Sequence, residues 1–275
     1  MFEHGVPHSL NSRVRRVVAP NPGVMTGPGT NTYLLGTEAV AVLDPGPLID
    51  EHVEAILAAA DGKIRWIVAT HTHPDHSPAW QPLQEATGAE VIGAKPWDDM
   101  FQDDTFAPGV EVTHDYLLQT DEFTLRAIHT PGHVGNHYCF LLEEEGMLFT
   151  GDHIMQGSTV VIVPPSGDMR AYIDSLKLLL DYPIKSLAPG HGSVIEDPEA
   201  AVNWLVDHRL KREQKVVDGL QQLREANLDE LVLVVYDDVD SGLHSMAKLS
   251  MTAHLIKLQQ DGRVQCSDQE RWSLI

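Results

Sequence analysis

The sequence predicts an α/β fold in which sheets are covered by helices. Three observations carry that expectation. Strand-like apolar runs alternate with stretches of helical periodicity. Glycine- and proline-bearing turns close the strand-like runs. A composition of 43% apolar and 21% charged residues over 275 positions is that of an ordinary globular chain large enough to bury a core.

Residues 1 to 12 read as a tail. Val14, Val17 and Val18 then begin a strand-like pattern, followed by a Pro- and Gly-rich loop from Pro20 to Thr30. Strands are expected over Asn31 to Leu35 and Ala39 to Leu43, the second ending at Asp44. Asp50 to Ala60 has Val53, Ile56 and Leu57 at helical spacing, and Ile64 to Thr70 reads as a buried strand. Ser77-Pro78 suits the start of a helix, with Pro82 implying a kink or a later start. Strand-like runs recur at Val91-Ile92, Phe123 to His129, Tyr138 to Leu142, Met147 to Phe149 and before Pro189. A helix is expected from Met169 to Leu180. Near Asp197-Pro198 an N-cap followed by a first-turn proline opens a long helix, with Val202, Leu205, Val206, Leu210, Val216, Val217, Leu220 and Leu223 on one face. The domain boundary is placed there, giving domains 1–196 and 197–275. In the second, Leu228 to Tyr236, an acidic turn, Leu243 to Gln260 and a terminal strand at Gly262-Arg263-Val264 fit two helices, a turn and a short hairpin arm.

The chemistry concentrates at His71-Thr72-His73-Pro74-Asp75-His76, directly after the strand-like run. Crowding imidazoles and carboxylates into one turn is costly unless a divalent cation replaces their protons and waters. His71 and His73, two apart, face the same way in an extended segment, and Pro74 redirects Asp75 and His76. Two neighbouring pairs suggest two adjacent metals. Three further candidates lie in short glycine-bearing turns: His133 in Thr130-Pro131-Gly132-His133, Asp152 in Thr150-Gly151-Asp152, and His191 in Pro189-Gly190-His191.

H-x-H-x-D-H followed in order by His, Asp and His resembles the metallo-β-lactamase superfamily over roughly residues 13 to 196. The resemblance implies a four-layer αββα sandwich with the metals at one edge. It also implies that His71, His73 and His133 bind one metal, that Asp75, His76 and His191 bind the second, and that Asp152 bridges both. Asp44, in Val42-Leu43-Asp44-Pro45-Gly46, matches the family's early Asp motif, with the implied role of accepting a hydrogen bond from a ligand imidazole and fixing its tautomer. Asn31-Thr32-Tyr33-Leu34, Leu148 to His153, Pro189-Gly190-His191-Gly192 and His208 to Gln214 are similar to the lactamase-beta-like protein 2 type subgroup. That subgroup appends a small winged-helix-like α domain, and some members are endoribonucleases. Where its helix after the metal motif commonly opens with glycines, this chain has Ser77-Pro78-Ala79, a change in the pocket floor.

The implied activity is that of a dinuclear metal-dependent hydrolase whose metal-bound hydroxide cleaves an ester, thioester or phosphodiester. Two divalent ions are expected, Zn2+ best matching an imidazole-rich set, with Mn, Fe or Co as alternatives. Asp75 and Asp152 are the candidate catalytic carboxylates. His137, four residues beyond His133, is a candidate general acid if its segment is extended. His4, His8, His52, His114, His129, His208, His244 and His254 show no ligand spacing.

The formal charge of −21 bears on partners: residues 1–196 hold 10 Lys and Arg against 26 Asp and Glu, and residues 197–275 hold 9 against 14. Affinity for nucleic acid comes largely from cationic side chains, so the balance disfavours RNA and favours a small acyl or phosphodiester substrate. An endoribonuclease acting on single-stranded RNA is the alternative inside the hydrolase class. Outside it stand a di-iron redox protein, whose branch carries a carboxylate where this chain has His73, and a non-catalytic nucleic-acid-binding protein. The helix from Leu243 offers only Lys248, His254 and Lys257, which favours packing, pocket closure or a homodimer contact over nucleic acid. No run reaches the length of a membrane span, and Met1-Phe2-Glu3-His4-Gly5 lacks an export signal, so a cytoplasmic protein is expected. Cys139 and Cys266 suit neither a disulfide framework nor a metal spacing.

Overall fold

The computed structural model describes residues 2–275. The first sheet has seven strands in sequence order: β1 (His8–Ser9), β2 (Val14–Val18), β3 (Asn31–Leu35), β4 (Val40–Leu43), β5 (Ile64–Val68), β6 (Glu90–Gly93) and β7 (Val110–Glu111). The second comprises β8 (Leu117–Gln119), β9 (Thr124–His129), β10 (Tyr138–Leu142), β11 (Met147–Gly151) and β12 (Ser186–Pro189), arranged β12-β11-β10-β9-β8. The short strands β7 and β8 carry too few apolar residues to show a period and were not expected.

Alternation along each strand builds the layers. Tyr33, Leu35, Ala41 and Leu43 of β3 and β4 enter one core with Leu125, Ala127, Phe140, Leu142 and Phe149 of the second sheet. Their neighbours Leu34, Val40 and Val42 enter another with Val53, Ile56 and Ala60 of α1 (Asp50–Ala60) and Trp80 and Leu83 of α2 (Trp80–Thr87). A period of two thus places one face of the first sheet against the second sheet and the other under two helices. Helix α2 begins three residues later than Ser77 suggested, and residues 77–79 form a turn in which Ala79 N donates to Gly46 O. Pro82 then sits in the first turn, where a missing N–H costs nothing.

Four strand pairs are parallel, β4 with β5, β5 with β6, β6 with β7 and β11 with β12, and the site draws on β4, β5, β11 and β12. Their C-terminal ends carry Asp44, the 71–76 motif, Asp152 and His191. This is the rim where open α/β sheets place their chemistry.

The chain forms two compact units, one of Met1–Thr130, Asn136–Ser158 and Tyr182–Pro198, the other of Pro131–Gly135, Thr159–Asp181 and Glu199–Ile275. The sequence boundary at 196/197 lies beside the last join, and the stretches 131–135 and 159–181 enter the second unit out of chain order. That unit holds α3 (Met169–Leu178), α4 (Pro198–Leu223, but for its first residue), α5 (Leu228–Val235) and α6 (His244–Gln260). It also holds a small sheet of β13 (Glu225–Ala226), β14 (Val264–Cys266) and β15 (Trp272–Leu274). Asp168 caps α3, and Asn227 with Glu230 forms a capping box on α5. Leu220, Leu231, Val235, Met251, Leu255, Leu258, Val264 and Trp272 share one core. Among the described residues no helix is long and apolar enough to cross a membrane.

Candidate metal centre

Seven ligand-type side chains carry the candidate site, and the donor atoms of Asp75, His76, Asp152 and His191 lie within 4.8 Å of one another. His71 and His73 of the first unit, with His133 of the second as their expected third member, make the first group, and those four residues the second. All seven are the residues singled out by the sequence.

The second group is built from the first unit alone. His76 Nε2 lies 3.6 Å from Asp75 Oδ2 and 3.4 Å from Asp152 Oδ1, and His191 Nε2 lies 3.2 and 3.3 Å from the same two atoms. Both Nε2 atoms are buried without a well-formed hydrogen bond. Four donors converging on one point, two of them buried nitrogens lacking such a bond, fit a divalent cation. The charges agree: burial opposes protonation of His76, but Asp75, Asp152 and Asp44 outweigh it and raise its pKa well above the ordinary range. His191 behaves alike: burial is outweighed by Asp152 and Asp75, and its pKa rises to about 9. In Asp152, burial is overcome by His191 and His76, which hold the carboxyl well below its usual range. Protons here occupy places that a metal would take.

The first group is all imidazole. Burial, then the neighbouring His76, His73 and His137, push the His71 pKa well down, leaving a neutral ring with a lone pair to offer. His71 Nε2 and His73 Nδ1 are 3.0 Å apart. His133 Nδ1 lies 2.8 Å from the Val161 carbonyl, which can only accept, so the proton sits on Nδ1 and the lone pair on Nε2.

Asp44 orders this arrangement from below. It ends β4 in the left-handed region at φ 50, a conformation an Asp side chain tolerates, and is 1% exposed. Its Oδ1 accepts from Thr70 N at 2.7 Å, and its Oδ2 accepts from Thr70 Oγ1 and His76 Nδ1, each at 3.0 Å. With the Thr70 hydroxyl proton given to Asp44, Thr70 Oγ1 accepts from His71 Nδ1 at 3.0 Å. Asp44, directly for His76 and through Thr70 for His71, therefore keeps a proton on each Nδ1 and places the Nε2 lone pairs on the opposite edge of the rings.

Backbone proximity matters equally. At Gly151 (φ +45) a Cβ would stand 2.5 Å from Thr70 Oγ1, and at Gly190 one would stand 2.6 Å from His76 Cε1. The loop carrying His191 is latched by β3: Asn31 Nδ2 donates to Pro189 O and Gly192 O, both at 2.9 Å, and Tyr33 Oη donates to Pro189 O at 2.7 Å. This explains the Asn31-Thr32-Tyr33 motif, whose work was not legible from spacing. Thr70 was missed also, since a hydroxyl at a strand end carries no signal of its own. In the pocket floor, Ser77 is buried and its Oγ donates to Asp103 Oδ2 at 2.7 Å, a bond that glycine would lack.

His137 is placed differently from its expectation. Residues 132–136 are bends and a turn instead of an extended segment, and His137 is fully buried, with Nδ1 2.9 Å from Thr130 Oγ1 and its ring centroid 5.0 Å from that of His71.

Comparison with known proteins agrees with this geometry. Residues 25–191 match the metallo-beta-lactamase superfamily, and residues 228–272 match the beta-lactamase associated winged helix domain. The Beta-lactamase-like protein 2 homolog of Caenorhabditis elegans is 34% identical over 93% of this chain and 87% of its own length. An atrochrysone carboxyl ACP thioesterase of Aspergillus chevalieri is 33% identical over 97% of this chain and 88% of its own. In fold, a beta-lactamase domain protein from Burkholderia ambifaria superposes with a TM-score of 0.85 at 18% identity, covering 100% of this chain and 95% of that one. A match over more than half the chain, added to relatives similar along nearly its full length, makes this protein a hydrolase-fold member of the metallo-beta-lactamase superfamily with an associated winged helix domain.

Proposed function

We propose that the protein is a dinuclear metallohydrolase, loaded with zinc, that cleaves the acyl bond of a thioester or ester. The observation that carries this is the pair of adjacent donor groups, one all imidazole and one rich in carboxylate. An imidazole set with two carboxylates suits Zn2+ above Mg2+ or Ca2+, which prefer oxygen. His71, His73 and His133 would hold one ion and Asp75, His76 and His191 the other, with Asp152 between them. Two such ions, when bound, would supply an activated water and a Lewis acid toward the scissile carbonyl.

The chain's own residues do the rest. Asp152, its side chain 13% exposed, holds a full negative charge against His76 and His191 of its own group, and we assign it the place between the two groups. Asp75 is the more open carboxylate at 26%, which suits it to accept a proton from the attacking water and return it to the leaving group. Asp44 and Thr70 set the imidazole tautomers. His137 has no exposed surface from which to reach a leaving group, and we assign it to packing His71 in place. Support for an acyl substrate comes from the thioesterase name of a relative at 33% identity and from the net charge of −21, which repels polyanions. Cleavage of single-stranded RNA is the second reading, favoured only by the subgroup resemblance. We further propose a cytoplasmic protein with a small-molecule substrate.

The test is hydrolysis of acyl thioesters, aryl esters, a bis-aryl phosphate and single-stranded RNA by protein purified without added metal, then assayed for metal content. Turnover of thioester or ester that a chelator abolishes and zinc restores is expected. Asp152→Ala and His71→Ala are each expected to lower kcat by at least about a hundredfold and to lose bound metal, while His208→Ala does neither. Full activity of Asp152→Ala at normal metal content would falsify the bridging role.

A further inference from the structure

Arg16 is a charged residue with no opposite charge. It lies on β2 at 6% exposure, and among the described residues no carboxylate stands within ion-pair distance of it. Its Nη1 donates to Gly192 O at 3.3 Å, and the Phe2 ring lies 4.6 Å from the guanidinium carbon, so these partners are neutral. Its Nε is buried without an acceptor. The edge formed by Nε and Nη2 is the one an arginine presents to a carboxylate or phosphate with two parallel hydrogen bonds. Here that edge is unused. Burial presses the Arg16 pKa downward, yet a guanidinium keeps its proton, so the cost of the bare charge stays in the fold.

The surroundings form a cavity. In the antiparallel pairing of β1 with β2, His8 stands directly opposite Arg16, which puts both side chains on one face of the sheet. Together with Glu3, Val6, Pro7 and Val18 they line a cavity of about 170 Å³. That is too small for a nucleotide or an acyl chain and large enough for a phosphate or a short carboxylate. Glu3, exposed, is the one carboxylate in the lining and makes no ion pair with Arg16. We propose that this cavity binds a small oxyanion on the open edge of Arg16, with His8 beside it. Because Nη1 of the same guanidinium holds Gly192 O, next to His191, the anion would also brace the loop that carries that histidine. The proposal stands apart from the hydrolase activity and does not depend on which bond is cleaved.

The experiment is thermal unfolding of the full-length, metal-loaded protein in an oxyanion-free buffer, titrated with inorganic phosphate or with acetate at constant ionic strength. A saturable rise in Tm is expected for the wild type. A rise with phosphate alone identifies a phosphate site, and one with acetate identifies a carboxylate site, each in support. Arg16→Met is expected to remove the response while its own Tm without anion equals or exceeds that of the wild type, since it deletes an unpaired buried charge. Glu3→Gln is expected to tighten the anion about threefold and to leave the anion-free Tm unchanged. Should Arg16→Met fail to fold, Glu3→Gln decides, because its exposed side chain leaves the core intact. No response to either anion in the wild type overturns the proposal. So does a response that survives Arg16→Met, which would belong to the metal centre, and so does a loss of anion-free stability in Glu3→Gln, which would make Glu3 the counter-charge.

Discussion

At the scale of single residues, the seven donors were legible because metal chemistry needs rare residue types in tight spacing, and no fold requires H-x-H-x-D-H. The residues that aim them were not. Thr70, Asn31 and Tyr33 act through one or two hydrogen bonds each, and nothing in their spacing distinguishes them from ordinary strand residues. Gly190 is a further case, and it yields a prediction. Its backbone is not left-handed, so alanine is conformationally allowed, but the added Cβ would meet His76 Cε1 at 2.6 Å and Asp152 Oδ1 at 3.1 Å. The penalty is steric and falls on two candidate ligands at once. Gly190→Ala is expected to weaken retention of one metal by about tenfold or more in a chelator competition, with a stability loss of about 1–3 kcal/mol. Unchanged retention would mean that the loop yields and that close approach at Gly190 is not what holds the group together.

At the scale of elements, period two along β3 and β4 fixed which side chains enter which core, and both strands and α1 follow their patterns closely. Helix α4 shows where pattern fails. Its apolar spacing marks Val216 and Leu220 correctly, yet Arg209, Arg212 and Glu213 are buried on it too. Arg212 donates to Val235 O and Asp238 and lies 4.2 Å from the Tyr236 ring centroid, and Glu213 pairs with Lys257 at 2.9 Å. Burying charges requires partners from distant sequence, which a single helix cannot reveal. Glu122 is a similar tie between elements. Its carboxylate accepts from Thr37 N and Oγ1, Glu38 N and Ala39 N, joining the turn before β9 to the turn between β3 and β4. Those bonds favour the charged form and draw its pKa from 4.5 down to about 2. The folded value is depressed, so the stabilisation is complete above pH 4.5 and disappears as pH falls through 2. Glu122→Gln is expected to cost about 1 kcal/mol at pH 7, solvent screening keeping the figure small. In denaturant titrations from pH 7 to pH 3 the gap to wild type should narrow only below about 4.5. No gap at any pH would show that the amide serves the turn as well as the carboxylate, and a gap that stays constant down to pH 3 would show that the carboxylate's charge is not its source.

At the scale of the whole molecule, the net charge of −21 sets a test that separates the acyl reading from the RNA reading without mutation. Proteins that draw affinity from phosphate contacts lose it as salt rises, because counterions must be displaced again. A chain with 40 acidic residues against 19 basic ones meets a polyanion with long-range repulsion instead. Raising ionic strength from 0.01 to 0.15 M shortens the screening length from about 30 to about 8 Å and removes most of that repulsion. The KM for single-stranded RNA, if any cleavage occurs, is therefore expected to fall severalfold over this range, while that for an uncharged acyl thioester stays level. Two divalent ions at the proposed site would not invert this, since they would offset about four charges, locally, within ligands that already carry negative charge. A KM for RNA that rises steeply with salt would reveal a cationic track outweighing the global field and would favour the nucleic-acid substrate. The winged helix domain offers little for such a track: Lys248 is engaged by Asp229 at 2.6 Å and Lys257 by Glu213 and Asp261, so the cations of α6 are already paired. A salt-independent KM for the thioester beside a falling one for RNA would instead leave recognition to the short-range shape of the metal pocket, where the chain has arranged its buried polar bonds.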